Sequence, residues 1–326
     1  MKKIMYLLLC GMILVPAFAG MASANTVDSY YYMYADFTTQ NSVFKGGADV
    51  DSYGNYIYVN RNGSVIDRYL LSTDPPDGTS DLNSVPGNYG ADGIAGNSDD
   101  NDHPMLNRTL SFDQSFKVPE IGKTTKSEIF AAQDAIYFAD EHKRISKYDL
   151  NTGTVTQVTG KLSGGISHLG RSSNGTWFAS NESGRIYSYN GSSWNYLFTH
   201  TASVSGKHLD GIEIVNMDGT EYLFAADMTA DLITRYNFDG TGKVVYGYND
   251  VNAMDLEGLG FGANNHFWAT NYWTGRGDGL MHLYEIGGGA FAGTSEDEPV
   301  PEPSTIILMG LGLLGLLGCR RRRQNR

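Results

Sequence analysis

The chain has 326 residues, with 36 acidic against 24 basic side chains, a formal charge of −12 and two cysteines. That balance excludes a nucleic-acid partner, which needs clustered Lys and Arg, and two thiols are too few for a disulfide-stapled scaffold. Forty glycines and 21 tyrosines suit many short strands joined by tight turns.

At the N-terminus, Lys2 and Lys3 precede an apolar run over residues 4–15, and Ala22-Ser23-Ala24 forms a small-x-small cleavage site. Residues 1–24 therefore read as a secretory signal peptide, and the mature chain is expected to begin near Asn25. Cys10 lies in this segment and Cys319 in the C-terminal one, so export is expected to leave no thiol. Residues 25–300 hold 17 of the basic and 35 of the acidic residues, a formal charge of −18. Such a surface repels anionic polymers and attracts divalent cations or cationic partners.

Five phrases then recur: YGNYIYVNRNGSVIDRYLLS, AQDAIYFADEHKRISKYDLNTGTVTQVTG, SNGTWFASNESGRIYSYNGSSWNYLFT, DGTEYLFAADMTADLITRYNFDGTGKVVYGY and ANNHFWATNYWTGRGDGLMHLYEI. Each is a turn, a β-branched and aromatic strand, a polar turn and an alternating strand, the pattern of an antiparallel meander. With Ile57, Tyr137, Phe178, Phe224 and Trp268 as landmarks the spacings are 80, 41, 46 and 44 residues. Repeats of about 40–50 residues with about four strands each predict an all-β propeller. Five blades are favoured, six are the alternative, and the propeller spans residues 25–295. Its Asp/Gly-rich insertion, residues 72–107, accounts for the long first interval. The last repeat lacks an outer strand, so the strand at 29–37 is expected to complete it and close the ring. Asn62-Gly63, Asn174-Gly175 and Asn190-Gly191 mark hairpin turns, which need positive φ. The arrangement resembles bacterial propellers of the NHL and gluconolactonase-like kinds.

Two segments opening the fourth and fifth repeats, HLDGIEIV and MDLEGLGF, superpose on their glycines and set Asp210 against Glu257. First strands line a propeller's channel, so these acids are expected to converge and hold calcium; the alternative is that they accept backbone amides at a tight turn. Asp49 and Ser167 occupy comparable places in earlier repeats, Glu213 and Asp255 lie nearby, and His208 is a candidate base. Similar Asp-Gly and Glu-Gly turns occur in gluconolactonase-like and esterase-like propellers, where the acids ligate a metal. The resemblance implies a competing function, a metal-dependent lactonase or esterase with Asp210 and Glu257 as ligands. In the insertion Asp92, Asn97, Asp99, Asp100 and Asp102 crowd a glycine-rich loop, either a second calcium site or a solvated acidic loop. Tyr272 and Trp273, in the turn TNYWTGRGDG, are candidate ligand-binding residues, whereas Trp194, Tyr196 and Trp268 read mostly as packing. The sequence contains neither a phosphate-binding loop nor a nucleophile elbow.

After a linker and a Pro-Glu-Pro motif at residues 296–303, the chain ends in an uncharged stretch at 305–319 and then Arg320, Arg321, Arg322 and Arg323. Fifteen residues are slightly short of the ~17–25 that span a bilayer, and the arginine cluster is retained in the cytoplasm. Residues 304–326 are thus expected to form a short transmembrane helix with a basic tail. Pro301, Glu302 and Pro303, an apolar span and terminal arginines together resemble the PEP-CTERM sorting signal of Gram-negative bacteria. That resemblance implies recognition of Pro301–Pro303 by exosortase during a transient inner-membrane stage, then delivery to the cell surface or extracellular matrix. The expected role there is binding or structural, with calcium and an extracellular polysaccharide or surface proteins as partners. An uncleaved C-terminal anchor is the alternative.

Overall fold

The computed structural model describes residues 27–39, 43–61, 63–72, 109–119, 128–181, 183–201, 209–228, 231–248, 255–271 and 279–287. The expected signal peptide, the C-terminal motif and helix, Asp92, Asn97, Asp99, Asp100, Asp102, His208, Tyr272 and Trp273 lie outside them.

First in the chain comes β1 (Ser29–Thr38). Blade 1 follows as β2 (Asp49–Tyr53), β3 (Tyr56–Asn60), β4 (Val65–Leu71) and β5 (Leu110–Lys117). Blade 2 is β6 (Ile129–Ala132), β7 (Ala135–Ala139), β8 (Ile145–Asp149) and β9 (Val155–Gln157). Blade 3 is β10 (His168–Arg171), β11 (Trp177–Ser180), β12 (Arg185–Tyr189) and β13 (Trp194–Thr199). Blade 4 is β14 (Gly211–Met217), β15 (Thr220–Asp227), β16 (Leu232–Tyr236) and β17 (Val244–Tyr248). Blade 5 has three consecutive strands, β18 (Glu257–Phe261), β19 (Phe267–Asn271) and β20 (His282–Gly287), and takes β1 as its fourth. The fold is a five-bladed propeller, closed as expected by the N-terminal strand.

The period-2 alternation of each second strand explains why the blades stack. Ile57 and Val59 of β3 pack against blade 5 beside Trp268 and Leu283, while Tyr58 between them packs against Ile129, Ile136 and Phe138 of blade 2. Phe178 faces Ile212 and Leu223 of blade 4, whereas its neighbours Trp177 and Ala179 face Ala139 and Ile145 of blade 2. Phe224 joins Phe267 and Tyr284 across the seam between blades 4 and 5. Five hydrophobic clusters thus fill five seams, and the two faces of each strand serve different neighbours. Tyr58, Tyr137, Phe178, Phe224 and Trp268 pair at the same level with Arg68, Lys147, Ser188, Arg235 and Glu285. The first sequence landmark therefore shifts by one residue, from Ile57 to Tyr58, because Ile57 belongs to the opposite face.

The long first interval is explained by the hairpin of β4 and β5. Leu71 pairs with Leu110, and just beyond that pair Ser72 N donates to Thr109 O at 2.8 Å. Everything between is carried on one clasped stem. Asn190 Oδ1 accepts from Ser192 N and Ser193 N at 3.0 and 2.8 Å while Gly191 takes φ 93°. The Asn-Gly pair shapes that turn mechanically.

Ring closure has one feature beyond the expected strand. From Tyr32 to Thr38, β1 runs antiparallel to β20, but from Ser29 to Tyr31 it runs parallel to β17 of blade 4. Asp28 extends the parallel part, donating from N to Val245 O and accepting Val245 N at Oδ2, both at 2.8 Å. Tyr31 is fully buried and donates its hydroxyl to Asp231 O at 2.8 Å. One strand therefore straps two blades. Deleting residues 25–38 is expected to lower the melting temperature by more than about 10 °C and to expose the seam between blades 4 and 5 to trypsin. A synthetic peptide of residues 27–39, added in trans, should restore protease resistance.

Candidate functional site

The first strands β2, β6, β10, β14 and β18 adjoin one another around the axis. Each has a hydrogen-bonding partner strand on one side only, so its inner edge carries amides that need other acceptors. Carboxylates from neighbouring blades supply them. Asp49 Oδ2 accepts Ile129 N and Asp51 Oδ2 accepts Ala131 N, both on blade 2. Glu128, which directly precedes β6, reaches two blades: Oε2 accepts Leu169 N of blade 3 and Oε1 accepts Ile212 N of blade 4 at 3.0 Å. Ser52 Oγ accepts Ala263 N of blade 5 at 2.9 Å.

Strand register places these groups in two tiers. Asp49 pairs with Asn60, His168 with Ser180 and Glu257 with Thr270, all at the level reached by Glu128 just above the Ile129–Phe138 pair. One pleat lower lie Asp51, opposite Tyr58, and Glu213, opposite Phe224. Glu213 Oε1 accepts its neighbour Ile214 N at 2.7 Å. His168 Nδ1 lies 3.6 Å from Glu128 Oε2. All these side chains and Asp210 are buried, none more than 7% exposed.

Close approach of the inner strands depends on glycine. A Cβ on Gly211 would lie 2.7 Å from Leu259 N, and one on Gly258 would lie 2.4 Å from Asp49 Oδ1. Gly258 also has φ +77° and sits in a bulge between Glu257 and Gly260. That extra residue alters the superposition expected from sequence. Counted from Phe224 and Trp268, Glu257 falls level with Gly211, so Asp210 stands one residue higher. Asp210 Oδ2 accepts Met228 N at 3.1 Å, and its carbonyl accepts Gly258 N at 2.7 Å. Asp210 and Glu257 come to adjacent strands, but Asp210 is engaged with backbone amides.

Burial determines the protonation of this cluster. Asp49 is raised well above the usual carboxylate range, first by burial and then by the charges of Asp51 and Glu257, against the pull of its amide donors. Burial, with Asp49 and Glu213 nearby, raises Glu128 likewise. Glu213 is raised by burial and by Asp51 and Asp49. Asp51 is pushed up to about 7 by burial. Neutralising so many acids requires protons or a cation. Hard oxygen donors suit calcium, and Asp49 Oδ1 is buried without a hydrogen-bond partner. Among the described residues, however, no group of three or more His, Cys, Asp or Glu side chains is arranged to hold a metal ion.

Asp210 and Glu257 stand out in the sequence, with Asp49 and Glu213 beside them, whereas Asp51 and Glu128 do not. The signal for Asp51 was the alternation Asp49-Val50-Asp51, acids flanking a fully buried valine. Glu128 had no such signal, because its neighbours in KSEIFAA read as an ordinary strand start.

Residues 299–323 match the PEP-CTERM protein-sorting motif. The match includes Pro301, Glu302, Pro303 and Arg320–Arg323, and it implies an exported chain held transiently in the membrane before sorting by exosortase. No curated protein matches the chain. Solved structures similar to it include virginiamycin B lyase from Staphylococcus aureus, at 11% identity and TM-score 0.37 over 72% of this chain and 66% of that one. BamB from Moraxella catarrhalis is similar at 13% and 0.33 over 75% and 60%. A calcium-binding protein, regucalcin, from Agrobacterium tumefaciens is similar at 11% and 0.42 over 79% and 96%. The chain thus spans less than two thirds of the length of the lyase and of BamB.

The raised carboxyls set the sign of a pH effect. In the folded chain they keep protons that the unfolded chain releases near pH 4, so their stabilising contribution is full below that pH. It is lost as pH rises through about 7 for Asp51 and through the raised values of Asp49, Glu128 and Glu213. In chelator, the melting temperature should fall between pH 5 and pH 8. Glu213→Gln keeps an acceptor for Ile214 N and removes one titrating group, so it should flatten that slope, measured by calorimetry. Gly258→Ala should destabilise by about 2–4 kcal/mol at any pH, from overpacking plus strain.

Proposed function

We propose that this protein is exported, sorted by exosortase through its C-terminal motif, and retained at the cell surface or in the extracellular matrix of a Gram-negative bacterium as a binding or structural component. The motif at residues 299–323 carries the reading. The propeller supports it: the first strand gives blade 5 its fourth strand and closes the ring, and five apolar seams hold it without disulfides. Such a body suits a compartment without chaperone rescue.

The sorting step is tested in the native host. Replacing Pro301, Glu302 and Pro303 together by alanine, or deleting exosortase, should leave the uncleaved chain in the inner-membrane fraction. Immunoblotting of fractionated cells reads the outcome; normal surface delivery in both strains would remove the proposal.

Calcium enters as a proposed stabiliser rather than a catalyst. Asp49, Glu257 and Asp210 at the upper channel are its candidate ligands, supported by the unpartnered Asp49 oxygen. A cation and protons would neutralise the same carboxylates, so they compete. Millimolar calcium should raise the melting temperature by about 3–8 °C at pH 8 and have little effect at pH 5. Asp49→Asn should abolish the rise.

A further inference from the structure

The formal charge of −18 for residues 25–300 hides a sharp asymmetry. Residues 142–207 contain seven Lys and Arg against two Asp and Glu, whereas the rest of that span contains ten against 33. This basic stretch comprises blade 3 and the outer half of blade 2. We propose that the outer rim of the seam between blades 2 and 3 docks an anionic polysaccharide, a chain of uronate-type sugars.

Of the seven basic residues, Lys207 lies outside the described residues, Arg171 stacks over Trp177 at 5.1 Å, and two more are paired and do not contribute. Arg144 pairs with buried Asp140 at 2.8 Å, and Lys147 with Asp149 at 3.5 Å. Lys143, Lys161 and Arg185 are exposed and have no ion-pair partner among the described residues. Lys143 and Arg185 stand at the upper end of the seam, whereas Lys161 follows Gly160, whose N–H donates to Tyr189 Oη at 3.1 Å and whose carbonyl accepts Trp194 Nε1 at 2.8 Å near the β12–β13 turn. Leu162 N donates to Lys143 O at 2.9 Å, bringing the loop of Lys161 beside Lys143. Arg185 opens β12, where its carbonyl accepts Asn181 N at 3.2 Å.

Below Arg185 the same face of β12 presents Tyr187, which packs at the blade 2 seam. Opposite it on β13 is Tyr196, at 55% the most exposed large hydrophobic side chain among the described residues. The two rings meet edge to face at 5.8 Å, and the Tyr196 hydroxyl is tied to Thr199 Oγ1 at 2.9 Å. A held aromatic ring stacks on the C–H face of a sugar, while a guanidinium forks onto its carboxylate. The acidic remainder of the surface repels the same polymer, which directs docking to this rim.

The inference deepens the surface-binding reading and rests on it. Its test uses purified protein, so its failure is distinct from a failure of sorting in the cell. Affinity electrophoresis in chelator compares gels containing polygalacturonate with gels containing the methyl-esterified polymer, whose carboxylates are masked. The acid polymer should retard the protein and the ester should not. Lys161→Glu with Arg185→Glu should weaken retention by about tenfold or more and Tyr196→Ala by about threefold or more, at unchanged melting temperature. Lys117→Glu on blade 1 should have no effect. Equal retention by the ester, an equal loss from Lys117→Glu, or stronger retention by a single-stranded oligonucleotide would each overturn the proposal.

Discussion

In a ring of sheets, every innermost strand has a partner strand on one side and the propeller axis on the other. The amides along those inner edges cannot reach water once the blades close, so each must find an acceptor or cost a few kcal/mol. Here Asp49, Asp51 and Glu128 provide acceptors by reaching across to the next blade. Glu128 alone ties together three blades. The geometry that lets these carboxylates reach, namely glycines 211, 258 and 260 at the points of closest approach, also keeps the channel narrow.

That solution concentrates negative charge where the dielectric is low. The acids are good acceptors when ionised, yet burial favours their neutral forms, and Asp51 settles near the middle of the conflict. The axis of the molecule is therefore its most stressed region electrostatically, while the seams between blades are conventional hydrocarbon. Stability comes from the seams, and sensitivity to solution conditions comes from the axis.

Much of the architecture was legible because the repeat is written in local terms: an aromatic at the centre of each second strand, an Asn-Gly or Asp-Gly turn, and a tyrosine near the end of most third strands. Pairing of β1 with β20 was also legible, because the fifth repeat stops one strand short. The parallel contact of β1 with β17 was not, since no pattern in Ser29–Tyr31 distinguishes one outer edge from another. Nor was the bulge at Gly258, which displaces Glu257 relative to Asp210 by one residue and is visible only in the hydrogen-bond register. Side-chain roles at the axis depend on which blade a carboxylate leans toward. That is a property of the assembled ring rather than of any repeat.

The strap formed by β1 has a kinetic corollary. Its partners, residues 244–248 and 282–287, lie more than 200 positions further along the chain, so a strand synthesised early is the last to find its place. Contacts so distant in sequence form slowly. Until they do, the polypeptide remains an unclosed arc that can be threaded lengthwise, and it locks only when its final sheet has emerged.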